Sequence, residues 1–184
     1  EINDAFGFPK RLDMEDFPPS AFQGPYLAML RYQPDQGLEF IVGMINASCE
    51  AYSKEENKAE FVELPYEVEL ERSGGEFRSC FCNSRLWGAY RGISVAPNCF
   101  MSALMALEHW LLEKVINDSA NVSELLRIIL DEANNVSLVS VVASVCIAHP
   151  EVAPDVACKL FSCPKILELD IGRSIGEASA TLSG

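Results

Sequence analysis

Residues 97–116, PNCFMSALMALEHWLLEKVI, are the most hydrophobic helix candidate in the 184-residue chain and decide its architecture. Pro97 suits the first turn of a helix, where the N–H that proline lacks is not needed for a hydrogen bond. On a helical wheel only Ser102, His109 and Glu113 gather on a polar side. Because apolar side chains cover the rest of the circumference, the pattern predicts a helix buried on several sides at the centre of a helical stack.

The segment LWGAYRG, residues 86–92, comes shortly before this helix candidate and allows two interpretations. In the first it is a hinge that seats the buried helix. Gly88 and Gly92 permit backbone angles that other residues avoid. The side chains of Leu86, Trp87 and Tyr90 anchor the preceding hairpin against the helix that begins at Pro97. Arg91 would then bind a helix C-terminus or an acidic side chain.

In the second interpretation the same segment is a site for a ligand or a protein partner. Tryptophan and tyrosine offer large amphipathic surfaces, and arginine offers a planar fork of donors, so all three are enriched at interfaces. The predicted partner-binding residues are Trp87, Tyr90, Arg91 and Trp110. The sequence favours the hinge and keeps the binding site as the alternative.

A β-hairpin is predicted at about residues 61–83. In FVELPYEVELE (61–71) apolar side chains alternate with glutamates, which is typical of a strand with one buried face, and Pro65 suits an edge strand. RSGGE supplies the turn and FRSCFCNSR returns. Cys80 and Cys82 fall on one face of the return strand and are interpreted as buried or half-buried free thiols. Since the paired C-x(2–4)-C spacing of structural zinc sites is absent, no metal site is predicted.

Helical patterns account for most of the remaining chain. Asn121 and Glu124 resemble a capping box at the start of one helix. Residues 137–148 are rich in β-branched side chains and could form a buried strand, but their length and small residues favour a close-packed helix. Short turns separate the helix starts near residues 121, 137, 154 and 164. The sequence therefore predicts a mainly α fold, an α-solenoid of the HEAT or armadillo type with one inserted hairpin.

The domain organisation follows from the same patterns. Residues 24–173 are predicted to form a single helical domain, preceded by an extended arm or linker at 1–23 and followed by a flexible tail at 174–184. The chain starts with Glu1 rather than methionine and ends in small residues, which suggests a piece of a longer protein.

Charge and cysteine content restrict the partners and the compartment. The chain has 27 acidic and 14 basic residues and a net charge of −13, which argues against binding to nucleic acid. No run of about 18 apolar residues is present, so no membrane contact is predicted. The N-terminus lacks the pattern of a signal peptide. Seven cysteines without secretory spacing are interpreted as reduced thiols in a cytoplasmic protein.

Sequence motifs for catalysis or cofactor binding are absent: there is no G-x-x-x-x-G-K-[ST], no dinucleotide glycine fingerprint and no G-x-S-x-G. We therefore expect neither an enzyme nor a bound cofactor. One alternative is a small stand-alone thiol enzyme with Cys99 as nucleophile, because a helix N-terminus lowers the pKa of a thiol. A further alternative is a sensor domain that binds a foreign protein through Trp87, Tyr90 and Trp110.

A set of segments in a fixed order carries a resemblance. GPYLAMLRYQPDQGLEFIVGMINASCEAY (24–52), LWGAYRG, ALMALEHWLLE (103–113), NNVSLVSVVASVCIAHPE (134–151) and LELDIGR (167–173) resemble the helical-repeat region of large multidomain bacterial ATP-binding proteins. The resemblance implies a helical scaffold attached to a P-loop NTPase domain elsewhere in the same chain, and no P-loop lies in these residues. The expected function is a non-catalytic module that contacts a protein partner or adjacent domains of its own polypeptide.

Overall fold

The computed structural model describes residues 2–9, 17–54, 64–91 and 94–181, with side chains described through residue 178. Its helices are α1 (Ile2–Ala5), α2 (Tyr26–Tyr32), α3 (Pro34–Tyr52), α4 (Ser84–Gly88), α5 (Asn98–Asn117), α6 (Val122–Glu132), α7 (Val136–Ala148), α8 (Pro154–Phe161) and α9 (Pro164–Thr181). Its strands are β1 (Tyr66–Glu71) and β2 (Phe77–Cys82), and 3-10 turns occupy Ala89–Arg91 and Ser119–Asn121. The prediction of a mainly α chain with one hairpin is confirmed.

Helix α5 lies at the centre of the core. It packs against α2, α3, α6 and α7, and most residues between Cys99 and Leu111 are buried. The predicted burial on several sides is confirmed. Ser102, however, does not belong to the polar side, because it is fully buried and its hydroxyl oxygen accepts a hydrogen bond from the Ser20 N–H at 3.2 Å. A buried hydroxyl is tolerated when it has such a partner.

The hairpin is antiparallel, with Tyr66 opposite Cys82 and Glu71 opposite Phe77. Its turn contains Gly75 at a φ of 85°, a left-handed conformation that glycine adopts without strain. The predicted strand residues 61–63 lie outside the described residues.

One face of the hairpin packs on the helices. Cys80 and Cys82 are both buried on it, which confirms the interpretation of these residues as buried free thiols. Beyond its strand pairing, β2 is joined to the α6–α7 connection, because the Phe81 N–H donates to the Asn134 carbonyl at 2.8 Å. The hairpin is thus a fixed part of the domain.

Helix α7 settles the alternative left open for residues 137–148, since this stretch is a buried helix. Asn135 begins it: the side-chain oxygen accepts from the N–H groups of Ser137 and Leu138 at 3.0 and 3.1 Å, as N-cap residues do. Although α7 is almost wholly apolar, none of the helices in the described ranges combines the length and hydrophobicity needed to cross a bilayer.

The capping box predicted at Asn121 is wrong. Asn121 has helical backbone angles (φ −96°, ψ −10°) and makes no side-chain cap. An N-cap residue needs an extended backbone so that its side chain can reach the first free N–H groups. Here a 3-10 turn leads into α6, and the Asn121 amide donates to the Asp118 carboxylate at 3.1 Å instead.

Described residues near both ends of the chain contribute to the packed or helical structure. Near the N-terminus Phe6 is buried, stacks on Tyr52 at 4.4 Å between ring centroids and meets Phe100 edge-on at 5.0 Å. At the other end, the predicted domain boundary at residue 173 falls inside α9, which continues to Thr181.

Candidate functional site

The LWGAYRG segment forms α4 and the 3-10 turn that follows it. Asn83 begins α4, because its side chain accepts a hydrogen bond from the Leu86 N–H at 2.8 Å. The carbonyl of Leu86 in turn accepts from the Ser137 hydroxyl of α7 at 2.7 Å. The segment therefore follows β2 directly and is hydrogen-bonded to the start of α7. Its 3-10 turn packs on α5, the helix against which the hinge interpretation expects the hairpin to be anchored. Gly92 lies outside the described residues.

The structure corrects the predicted partner surface. Trp87, Tyr90 and Trp110 are only 1%, 3% and 2% exposed, because their large apolar area is used within the core. The Tyr90 hydroxyl donates to the Ser140 carbonyl at 3.3 Å, and burial raises the pKa of this phenol. Three of the four predicted partner-binding residues are thus core residues, and the sensor alternative loses its contact surface.

Arg91 is the fourth residue, and its side chain is 34% exposed. Its guanidinium lies over the Tyr90 ring at 4.8 Å and donates to the Ser144 hydroxyl at 2.7 Å and to the Glu108 carboxylate at 3.1 Å. Ser144 also donates to the same carboxylate. Arg91 therefore joins the 3-10 turn to α5 and α7 through an acidic side chain, which is the role that the hinge interpretation gives it.

A cleft of about 630 Å³ opens beside this segment, between α4 and α9. Three glycines, Gly88, Gly172 and Gly176, line it together with Trp87. We call it the α4–α9 cleft. Among the described residues, the indole N–H of Trp87 has no hydrogen-bond acceptor.

The charged residues of the α4–α9 cleft are already paired within the protein. Arg85 donates to the Val95 carbonyl at 2.7 Å. Arg173 pairs with Asp170 and with Glu177, both at 2.8 Å, and the hydrogen bond to Asp170 raises the pKa of this guanidinium. Because these donors are engaged within the protein, the cleft offers a partner mainly apolar surface and few free hydrogen-bond donors.

No protein-family model matches the chain, and no curated protein matches it. The resemblance to helical-repeat regions of ATP-binding proteins accordingly stays a prediction.

An exposed apolar ridge runs along α9 next to the cleft. Leu167, Ile171 and Ile175 are 42%, 61% and 63% exposed, and their spacing of four residues places them in one row on the helix. We call these three residues the α9 ridge. Val95, 64% exposed, lines the adjoining cleft.

The buried thiols are poorly placed to act as nucleophiles. Cys99, the predicted nucleophile, is 3% exposed at the start of α5. Burial raises the pKa of Cys80, and it raises that of Cys146 to about 11, so the thiolate form is disfavoured at neutral pH. In the described part of the chain no three His, Cys, Asp or Glu residues lie together as metal ligands could.

A thiol-labelling experiment tests this placement. In the native chain a maleimide is expected to react first with Cys158, which is exposed, and then with half-buried Cys163. The buried thiols should react at least about 100-fold more slowly, because their labelling requires local opening of the structure. These thiols are Cys49, Cys80, Cys82, Cys99 and Cys146. Peptide mass spectrometry reads each site, and labelling in guanidinium chloride is the control in which all seven react. Fast labelling of Cys99 would restore the thiol-enzyme alternative.

Arg72 is an important residue that the sequence interpretation missed. It is fully buried between the hairpin turn and the end of α6. Its guanidinium donates to the carbonyls of Leu130 and Ala133 and lies 3.0 Å from the Cys80 sulfur. No local pattern marks this arginine, because the carbonyls that it binds lie 58 and 61 residues further along the chain.

Proposed function

We propose that the chain is a non-catalytic helical scaffold whose function is to make protein contacts, and that the α9 ridge is a contact face. The ridge is the observation that carries the proposal. Scattered exposed apolar residues are common on proteins, but a contiguous apolar row indicates an interaction site.

The geometry of the α9 ridge suits a helical partner. Residues at i, i+4 and i+8 form the ridges that enter the grooves of a neighbouring helix in the commonest class of helix packing. The α4–α9 cleft runs beside the ridge, with glycines that leave room for the partner's side chains. An incoming helix could therefore bury the ridge and fill the cleft together.

An α-solenoid arrangement of α5 to α9 belongs to the same proposal. In solenoids each helical unit packs on its neighbours, and the continuous core leaves extended faces for partners. In this chain α6 packs on α7, α7 on α8, and α8 on α9. Helix α8 packs on one side of α9, and the α9 ridge would contact the next helical unit.

The occupant that we propose for the α9 ridge is an adjoining helical unit of the same polypeptide. This choice agrees with the helical-repeat regions of bacterial ATP-binding proteins that the sequence resembles, where nucleotide chemistry resides in another domain. The paired charges of the cleft and the burial of five thiols support a role in contact rather than in catalysis.

Cysteine footprinting tests the proposal. Ile171→Cys should be labelled by maleimide at least about tenfold more slowly in the complete polypeptide encoded by the reading frame than in the 184-residue chain, because burial in an interface blocks the reagent. The matched control is Phe77→Cys on the hairpin, where the native side chain is 64% exposed against 61% for Ile171. Its rate should be the same in both proteins.

Peptide mass spectrometry separates the introduced thiol from Cys158, which is exposed in the native chain. Equal labelling of residue 171 in both proteins, or a reading frame that encodes no adjoining unit, would refute the proposal.

A further inference from the structure

A groove is formed by two adjoining depressions: one of about 480 Å³ lies between α3 and α6, and one of about 450 Å³ continues from it over the surface of α3. Both depressions include Glu39 and Gly43 of α3. Their apolar side chains are Leu38, Val42 and Ile128 in the first and Phe40 and Met44 in the second. Ile128 and Phe40 are 42% and 48% exposed, so the groove presents apolar surface to solvent.

The polar rim of this groove is acidic. Asp35, Glu39 and Glu132 line the first depression, and within the described ranges none of them forms an ion pair with a lysine or arginine. The nearest arginine in sequence on α6, Arg127, pairs instead with Asp155 at 3.1 Å. The groove therefore combines an apolar floor with unneutralised negative charge.

One end of the groove is fixed by Asn46. Its amide donates to the Glu132 carbonyl at 2.8 Å, and its side-chain oxygen accepts from the Asn134 N–H at 3.0 Å and the Asn135 amide at 2.9 Å. These bonds join α3 to the end of α6. A site that is already formed loses little conformational entropy on binding.

Packing within the described structure does not require a glycine at residue 43. A Cβ at this position would meet no atom within 4 Å, although a glycine inside a helix costs about 0.8–1.0 kcal/mol relative to alanine. Gly37 on the same helix differs, because its Cβ would lie 2.8 Å from the Met29 carbonyl carbon and 2.9 Å from the Leu30 nitrogen. Gly37 serves the contact of α2 with α3, whereas Gly43 leaves the groove floor open to a partner.

We propose that this groove binds a basic amphipathic helix from a protein partner. The apolar side chains of the partner would enter between α3 and α6, and its lysines or arginines would meet Asp35, Glu39 and Glu132. The lining residues extend along α3 from Asp35 to Asn46, roughly 17 Å of helix, which matches about three turns of the bound helix. Burying an apolar helical face in a groove is a common mode of peptide recognition.

This interface is independent of the α9 ridge, so either proposal can fail alone. The probe is a fluorescein-labelled 15-residue peptide with leucines on one helical face and lysines elsewhere, titrated with the 184-residue chain in about 0.15 M salt, at which long-range charge attraction is screened. Fluorescence anisotropy should show saturable binding. A scrambled peptide of the same composition, which has no apolar face, should bind at least about tenfold more weakly.

A steric variant locates the peptide. Gly43→Trp places a large side chain in the groove, at a position where a Cβ meets no atom within 4 Å, and should weaken binding at least about tenfold. The matched control is Gly74→Trp in the hairpin turn, where a Cβ also meets no atom within 4 Å; its affinity should equal that of the wild type. Thermal melts of both variants confirm that they fold.

A charge variant tests the acidic rim. Glu39→Lys combined with Glu132→Lys should weaken binding by about tenfold or more, since two attractions become repulsions. Glu69→Lys combined with Glu151→Lys changes the net charge equally at exposed positions outside the groove. This control separates local recognition from the general attraction of an acidic protein.

Several results would overturn the proposal: absence of binding to the wild type, equal binding of the ordered and scrambled peptides, or unchanged affinity in Gly43→Trp. Preferential binding of the same peptide with glutamates in place of lysines would also overturn it. If sedimentation shows a dimer that Gly43→Trp dissociates, the occupant is a second copy of this chain and the basic partner is rejected.

Discussion

Replacement of Arg72 by methionine is expected to lower the free energy of unfolding by about 3–5 kcal/mol. Arg72 is 1% exposed, and its guanidinium donates to the carbonyls of Leu130 and Ala133 at the end of α6. The last carbonyls of a helix have no partner within the helix, and a positive charge at this end is favourable. Methionine fills similar volume but removes the guanidinium donors from both carbonyls, and the Ala133 carbonyl keeps only the Cys80 thiol at 3.5 Å.

The backbone of Arg72 is also hydrogen-bonded, and the methionine variant keeps these bonds. Its carbonyl accepts from the Lys159 ammonium at 2.8 Å, and its N–H donates to the Glu76 carbonyl across the hairpin turn at 2.8 Å. The residue thus links the hairpin to α6 and α8. Loss of the side chain should loosen the whole hairpin against the helices.

Urea unfolding followed by circular dichroism measures this change. Arg78→Met on β2 is the control, because the Arg78 side chain is 56% exposed and pairs with exposed Glu76; it should stay within about 0.5 kcal/mol of the wild type. Arg72→Lys keeps the charge but not the planar fork of donors, so its free energy of unfolding should lie between those of Arg72→Met and the wild type. Equal stability of Arg72→Met and the wild type would contradict the argument.

Replacement of Trp87 by alanine is also expected to cost about 3–5 kcal/mol, because it removes a fully buried aromatic side chain and leaves a cavity. For a chain of this size the loss corresponds to a fall in Tm of about 6–20 °C. Trp87 is 1% exposed and belongs to the short helix that follows β2 and is hydrogen-bonded to the start of α7. The result distinguishes the hinge from the binding site, since a surface site would leave Tm nearly unchanged.

Trp87→Phe is the matched control. The indole N–H has no acceptor among the described residues, so its removal costs no hydrogen bond there. Phenylalanine keeps most of the apolar volume, and the expected cost is about 1–2 kcal/mol. Differential scanning calorimetry of the three proteins measures the series. If Trp87→Ala has the same Tm as the wild type, the interpretation of LWGAYRG as a surface binding site is restored.

The sequence predicts those elements whose side chains repeat with a clear period. The apolar circumference of α5 and the alternation before Leu70 are local properties, and both the central helix and the hairpin follow from them. The choice between helix and strand for residues 137–148 was also correct, because small side chains such as Ala143 allow close helix packing. These are cases in which a short stretch of chain determines its own burial.

The sequence could not predict features that depend on distant parts of the chain. Asn121 and Asn135 both precede plausible helices, yet only Asn135 has the extended backbone of a cap. Gly37 and Gly43 look equivalent on one helix, and only the approach of α2 distinguishes them. The same limit applies to Trp87 at the candidate site, because aromatic side chains suit both a core and an interface.

The distribution of the buried cysteines has a practical consequence. Cys49 lies in α3, Cys80 and Cys82 in β2, Cys99 in α5 and Cys146 in α7. Each thiol becomes reactive only when its own element opens, and local opening free energies differ between cooperative units of one protein. The native chain therefore contains thiol reporters in four elements. Their separate labelling rates can rank which parts of the domain open first, without the introduction of further cysteines.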